Sequence, residues 1–144
     1  LFRSAADINL EGGLGLWDDL VIRKAEGELD YAMCANSTNS LGCLAASESA
    51  GRTDYKVFGI DDEADQLAAL TKENSIYYAT VAQNPFEIGV QVMEAAVHAV
   101  EGQDDGIVKV DGILVTRDTV QEYMANREKS LEELKDYLAI ITAS

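Results

Sequence analysis

Residues 76–89 read I-Y-Y-A-T-V-A-Q-N-P-F-E-I-G, and the fold turns on how the chain passes through them. Residues 76–82 form an apolar, aromatic and β-branched run of strand length, which stops at Gln83. Asn84 and Pro85 follow, and Pro85 is the one proline in the chain. The pattern then changes period: Phe86, Val90, Met93, Val97 and Val100 recur as one helical face that ends before Gly102. Proline has a fixed φ and no N–H, so it suits the first turn of that helix and pins the direction in which the chain leaves the strand.

The same alternation extends to both sides. Residues 14–26 place Leu16, Leu20 and the stem of Arg23 on one helical side. Residues 30–36 are a short apolar run with a polar end. Residues 38–50, rich in Ala, Leu and Ser, form a helix that stops at Gly51, a natural C′ position. Residues 55–61 are a strand, and residues 62–73 a helix anchored by Leu67 and Leu70. Residues 107–110 and 113–116 are two further short strands around Asp111-Gly112. The tail carries a capping-box pattern, S-L-E-E at 130–133, ahead of a helical stripe of Leu131, Leu134, Leu138 and Ile141. Strands alternating with helices of ~10–15 residues predict an α/β fold, a parallel sheet flanked by helices with right-handed crossovers. There are no repeats and no low-complexity linker. A length of 144 residues fits one domain or the larger part of two small ones.

A hydrophobic fraction of 47% places the chain among globular rather than disordered proteins. No apolar run approaches the ~20 residues of a membrane span. The net charge of −15 repels phosphate backbones and anionic lipid, which argues against nucleic acid as a partner and against docking on anionic lipid; no direct membrane insertion is expected. Cys34 and Cys43 are too few for a disulfide scaffold, and one histidine cannot complete a zinc site with them, so both are expected as buried thiols. No cofactor is expected.

In an open parallel sheet, ligands bind beyond the carboxyl ends of the strands. After residues 30–35 stand Asn36, Ser37, Thr38 and Asn39; after 55–60 stand Asp61, Asp62 and Glu63; after 76–82 stand Gln83 and Asn84. Taken singly, Asn36 or Asp61 reads as a helix N-cap. Three successive strands that deliver amide, carboxylate and amide to one rim favour a shared site. Carboxylates accept pairs of hydroxyl hydrogen bonds and amides both donate and accept, which is the mixture a polyhydroxyl ligand needs. A phosphate would call for glycine-rich turns with Lys or Arg.

The segment E-L-D-Y-A-M-C-A-N-S-T-N-S-L-G-C-L-A-A-S-E-S-A-G-R-T-D-Y-K-V-F-G-I-D-D (28–62) resembles the C-terminal lobe of ribose-type periplasmic sugar-binding proteins, with its strand, A-x-N turn, small-residue helix and strand ending in G-x-D. A-T-V-A-Q-N-P-F-E-I-G (79–89) is similar to that family's hinge, and I-L-V-T-R-D-T-V (113–120) to its closing segment. The resemblance covers roughly residues 4–123. It implies ligand-binding roles for Asn36 and Asp61, and for Gln83 at a lobe crossover. The family places a stacking aromatic near residues 7–9; here none stands there, and Asp7 or Asn9 is expected to contact ligand instead.

The resemblance also divides the chain. Residues 1–83 are expected to be an incomplete C-terminal lobe, 84–110 a hinge crossover and a helix belonging to the N-terminal lobe, and 111–144 a return crossover with a helical extension. On that division the apolar face of the 85–101 helix lacks a partner, so the chain is expected to be a fragment, or a half that pairs with an N-terminal lobe or a second chain. The implied function is non-catalytic binding of a small sugar between two lobes outside the cytoplasm, with delivery to a membrane transporter or sensor. The alternative is a ligand-sensing domain of a sugar-responsive regulator or extracytoplasmic sensor. Catalysis is disfavoured. The pair Asp61-Asp62 invites comparison with phospho-accepting domains, but in those the acidic pair follows the first strand, and the sole histidine, His98, lies mid-helix.

Overall fold

The structure, a computed structural model, describes residues 9–142. In chain order it contains α1 (Leu10–Arg23), β1 (Tyr31–Met33), α2 (Ser37–Ser49), β2 (Lys56–Ile60), α3 (Ala64–Thr71), β3 (Tyr77–Ala82), α4 (Pro85–Val100), β4 (Ile113–Thr116) and α5 (Val120–Thr142). The strands form one sheet in the order β1-β2-β3-β4. β1, β2 and β3 are mutually parallel, each joined to the next through a helix, as parallel neighbours require.

β4 departs from the all-parallel expectation. It pairs antiparallel with β3, with Ala82 opposite Ile113 and Ala79 opposite Thr116. The chain returns at the rim where β3 ends, so it can only run back down the β3 edge. The strand expected at 107–110 does not form: residues 103–112 lack regular structure and Ile107 is 90% exposed. A strand needs a ladder partner, and the free edge of β3 is taken by residues 113–116.

One face of the sheet carries the core. Ala32 and Cys34, Val57, Tyr77 and Ala82, and Val115 meet Cys43 of α2, Leu67 and Leu70 of α3, and Val120 of α5. The two thiols are free and buried, as their setting in an apolar run and on a small-residue helix face predicted. Burial pushes the Cys43 thiol far above its ordinary value, whereas the hydrogen bond with Cys43 lowers that of Cys34. The opposite face exposes Tyr31, Met33, Ile60, Tyr78 and Leu114. Tyr31, Phe58 and Tyr78 stack along it with centroids 6.0 Å apart.

α1 and α2 cross at two glycines. A Cβ on Gly42 would meet the Leu14 nitrogen at 2.6 Å and the Gly13 carbonyl carbon at 2.7 Å, both backbone atoms of α1. α2 ends as its sequence predicted. Gly51 has φ +67, and the N–H of Arg52 donates to the Ser47 carbonyl at 2.8 Å while that of Gly51 donates to Glu48 at 3.1 Å, a Schellman closure. Arg52 then closes α1 from outside. Its Nη1 donates to the carbonyls of Val21 and Lys24 at 3.1 and 2.7 Å, and its Nε to Asp54 Oδ1 at 2.6 Å.

The expected capping box at Ser130 is absent. α5 runs unbroken from Val120 to Thr142, and Ser130 Oγ donates back to the Asn126 carbonyl at 3.1 Å. Extending an existing helix costs less than nucleating a new one, and no Gly or Pro interrupts this stretch. Leu131 and Leu134 stand 41% and 45% exposed; the side chains of Leu138 and Ile141 lie outside the described residues. α4 begins with Pro85 in its first turn, as expected, behind Asn84 in the left-handed region at φ 54, ψ 58. None of its residues is buried.

Two substitutions probe the crossing. Gly42→Ala is expected to cost ~1–3 kcal/mol because backbone cannot yield to the new methyl. Gly15→Ala, where nothing lies within 4 Å, is expected to gain ~0.5–1 kcal/mol from helix propensity. Urea unfolding measures both. A third prediction concerns acid. The Arg52 guanidinium, with the Gly27 N–H, holds the Asp54 carboxyl well below the usual carboxylate range. A depressed folded-state pKa adds stability above the unfolded value that is withdrawn as pH falls toward the folded one. Between pH 7 and pH 3, the wild type is therefore expected to lose more stability than Asp54→Asn.

Candidate functional site

β1, β2 and β3 end at one rim, and each is followed there by one of the residues singled out from sequence. Asn36 stands three residues beyond Met33, Asp61 directly after Ile60, and Gln83 directly after Ala82. Asp61 joins them. Its Oδ2 accepts the N–H of Ser37, the first residue of α2, at 3.0 Å, and its Oδ1 accepts the Nε2 of Gln83. The carboxylate therefore lies at the positive end of α2. The Asp61 backbone is bound as well: its N–H donates to the Val81 carbonyl at 2.9 Å, and its carbonyl accepts Thr80 Oγ1 at 2.7 Å. Its φ of 81 lies in the left-handed region, which an aspartate tolerates better than most side chains.

Asn36 is an N-cap. Its Oδ1 accepts the Asn39 N–H at 2.9 Å, Thr38 Oγ1 at 3.0 Å and Asn39 Nδ2 at 2.9 Å. The capping alternative and the rim position thus hold together: the amide oxygen is committed to α2, and among the described residues the amide nitrogen has no partner. Asn9 caps α1 in the same way, accepting the Gly12 N–H at 2.7 Å. The Gly13–Gly42 crossing brings the start of α1 alongside that of α2, since a Cβ at Gly13 would lie 3.1 Å from the Thr38 carbonyl oxygen. Asp7 lies outside the described residues.

The rim thus offers a half-buried carboxylate with lone pairs to spare, an amide donor from Asn36 and the carbonyl oxygen of the Gln83 amide. This is a neutral-ligand hydrogen-bonding set, suited to vicinal hydroxyls. Among the described residues no group of three His, Cys, Asp or Glu side chains is placed to hold a metal. His98 pairs instead with Asp105, its Nδ1 lying 2.8 Å from Oδ2. Two cavities of similar volume lie along the strands. A cleft of about 500 Å³ lies at the opposite end of the strands beside Arg52 and Ser75. A groove of about 460 Å³ lies on the open sheet face and reaches the rim, its lining including Ala35 and Ile60, the neighbours of Asn36 and Asp61.

Two supports of the rim escape a sequence reading. Gln66, fully buried, donates through Nε2 to the Ile60 carbonyl at 2.9 Å and to the Tyr77 hydroxyl at 2.8 Å. Asp62 accepts the Tyr123 hydroxyl at 2.7 Å across 61 residues of sequence. The apolar period of α3 hides the first, and no local signal points to the second.

The sequence profile of a periplasmic binding protein domain matches residues 17–104. The ribose import binding protein of Salmonella typhimurium is 31% identical over 103 residues, covering 72% of this chain and 33% of that protein. The chain thus spans about a third of the length of the curated relatives it matches. A solute-binding protein of an ABC transporter from Bacillus halodurans, solved with bound myo-inositol, is 30% identical with a TM-score of 0.70, over 83% of this chain and 41% of that one. A solute-binding protein from Agrobacterium vitis with bound allitol superposes with a TM-score of 0.78 at 23% identity, over 87% of this chain and 44% of that one, and so shares the fold.

The backbone at Asp61 gives a test of where stability has been set aside for the rim. Asp61→Gly removes the carboxylate but also relieves the left-handed conformation, so stability is expected to stay within about 1 kcal/mol of wild type. Asp61→Val, a β-branched residue in the same conformation, is expected to cost at least ~2 kcal/mol. Denaturant midpoints compared at constant m-value decide between them.

Proposed function

Because the chain belongs to the periplasmic binding protein family, we propose that it binds a small polyhydroxylated solute, an aldose or cyclitol, at the rim of Asn36, Asp61 and Gln83, and passes it on without catalysis to a membrane transporter. The observation that carries this reading is the Asp61 carboxylate, held at the start of α2 and against Gln83 where three parallel strands end. A carboxylate so oriented accepts two hydroxyls of one sugar face while the amides beside it take the remaining donors and acceptors. The relative named for ribose import and the structure containing myo-inositol point to the same ligand chemistry.

The ligand is enclosed when a second lobe closes on the rim, and Gln83-Asn84-Pro85 is the hinge crossover leading to it. Two features support this. α4 exposes Ile88, Val92, Met93, Val97 and Val100, each a gain of roughly 1.5–3 kcal/mol if covered. Asn84, in the left-handed region, turns the chain sharply away from the sheet. In this reading residues 1–83 belong to one lobe, α4 and the segment up to residue 110 to the other, and residues 111–144 to the return. No helix among the described residues is long and apolar enough to cross a membrane, and family membership supports a location outside the cytoplasm. The charge of −15 favours a transport or sensor component over a regulator seated on DNA.

Isothermal titration of the full-length gene product with D-ribose, L-arabinose and myo-inositol is expected to give saturable heat for at least one of them. Asp61→Asn is expected to weaken that binding by at least ~10-fold, the worth of one charged hydrogen bond. The absence of heat from all three, or an Asp61→Asn variant with unchanged affinity, overturns the assignment.

A further inference from the structure

The turn after β2 bears Asp61 and is gripped from outside the sheet. Asp62, the next residue, has three contacts with α5: its Oδ2 accepts the Tyr123 hydroxyl at 2.7 Å and faces Arg127 Nε at 3.5 Å, and its carbonyl accepts Arg127 Nη1 at 3.0 Å. The Asp62 side chain is only 15% exposed in this grip. α5 is rooted at its first residue, since Val120 is buried in the core. Tyr123 and Arg127 follow it at positions three and seven along, on the same helical face. Leu131 and Leu134, further along, are open to solvent, so the packing of α5 against the domain is concentrated in the turns that reach Asp62.

We propose that Tyr123 and Arg127 are positioning residues for the rim: through Asp62 they hold the β2–α3 turn, so that Asp61 keeps its left-handed backbone and presents its carboxylate to Ser37 and Gln83. The Asp61 N–H is tied to Val81 and its carbonyl to Thr80, and an unrestrained Asp62 would let the turn, and with it the Asp61 Cα that carries the carboxylate, drift off the rim. The clamp blocks that drift by holding Asp62 through both its side chain and its carbonyl. Burial, and then the Asp62 carboxylate, push the Tyr123 phenol above its ordinary value, consistent with a hydroxyl that stays a donor. α5 is on this account part of the binding apparatus, although the rim carboxylate and amides come from the strand ends.

The proposal rests on Asp61 being the ligand carboxylate, and its test separates the two claims. Amide hydrogen exchange followed by NMR on ligand-free protein is expected to show Ser37 and Asp61 exchanging at least ~5-fold faster in Tyr123→Phe and in Arg127→Gln. Val57 and Tyr77 in the core keep wild-type protection, and Gln121→Ala, on the same helix but away from Asp62, leaves Ser37 and Asp61 unchanged. Tyr123→Phe retains the ring and hence the packing, so a helix that merely packs leaves the rim amides alone. Unchanged exchange at Ser37 and Asp61 in both variants overturns the proposal, whatever the ligand. Titration of Asp61→Asn with D-ribose and myo-inositol tests the ligand role by itself.

Discussion

The carboxylate of Asp61 accepts an N–H from the start of α2 and an amide from the end of β3, so one side chain holds together the ends of three strands. Its own backbone is fixed to β3 by Thr80 and Val81 and its neighbour Asp62 to α5 by Tyr123. The conformation this requires, φ 81, is one that most side chains avoid. Strain of this kind persists where the surroundings over-determine it, and it collects at sites that must present a group in one orientation. Gln66 completes the frame beneath, with its donors satisfied by the Ile60 carbonyl and the Tyr77 hydroxyl.

The sheet has one packed face and one open face, and its strand sequences explain why that matters. β3 reads Y-Y-A-T-V-A, apolar on both sides in the manner of strands covered from above and below. Only the side toward α2 and α3 is covered among the described residues, leaving Tyr31, Phe58 and Tyr78 in a tilted aromatic row on the other. Lys56 and Arg117 lie 4.3 and 5.5 Å from the Tyr78 ring centroid, and their cationic ends partly shield the row from water. α4 shows the same mismatch, with a helical apolar face and no buried residue. Both features leave large apolar side chains open to solvent among the described residues.

Much of this was legible without coordinates. The change of period at Pro85, the Gly51 stop of α2 and the paired apolar and polar ends of three strands each follow from local rules: backbone sterics, hydrogen-bond satisfaction and side-chain periodicity. The candidate site was legible in outline because topology places the carboxyl ends of parallel neighbours on one rim. Three readings went wrong where a local signal met a wider competitor, the first being the all-parallel sheet, since β4 runs antiparallel along β3. Ser130 carries a good capping pattern, but α5 was already propagating through it. Residues 107–110 have strand composition, but no ladder among the described residues receives them.

The sequence by itself determined most of the strands and helices and which polar residues stand at their ends, because those are decided within a few residues by φ/ψ preference and apolar spacing. Only the tertiary structure decided what the end residues do. It made Asn36 a cap as well as a rim residue, set β4 antiparallel to β3, and brought Tyr123 to Asp62 across the chain. Such contacts depend on where whole elements come to rest, and that is set by burial and close packing summed over the core, down to the two glycines that let α1 meet α2, rather than by any short run of residues.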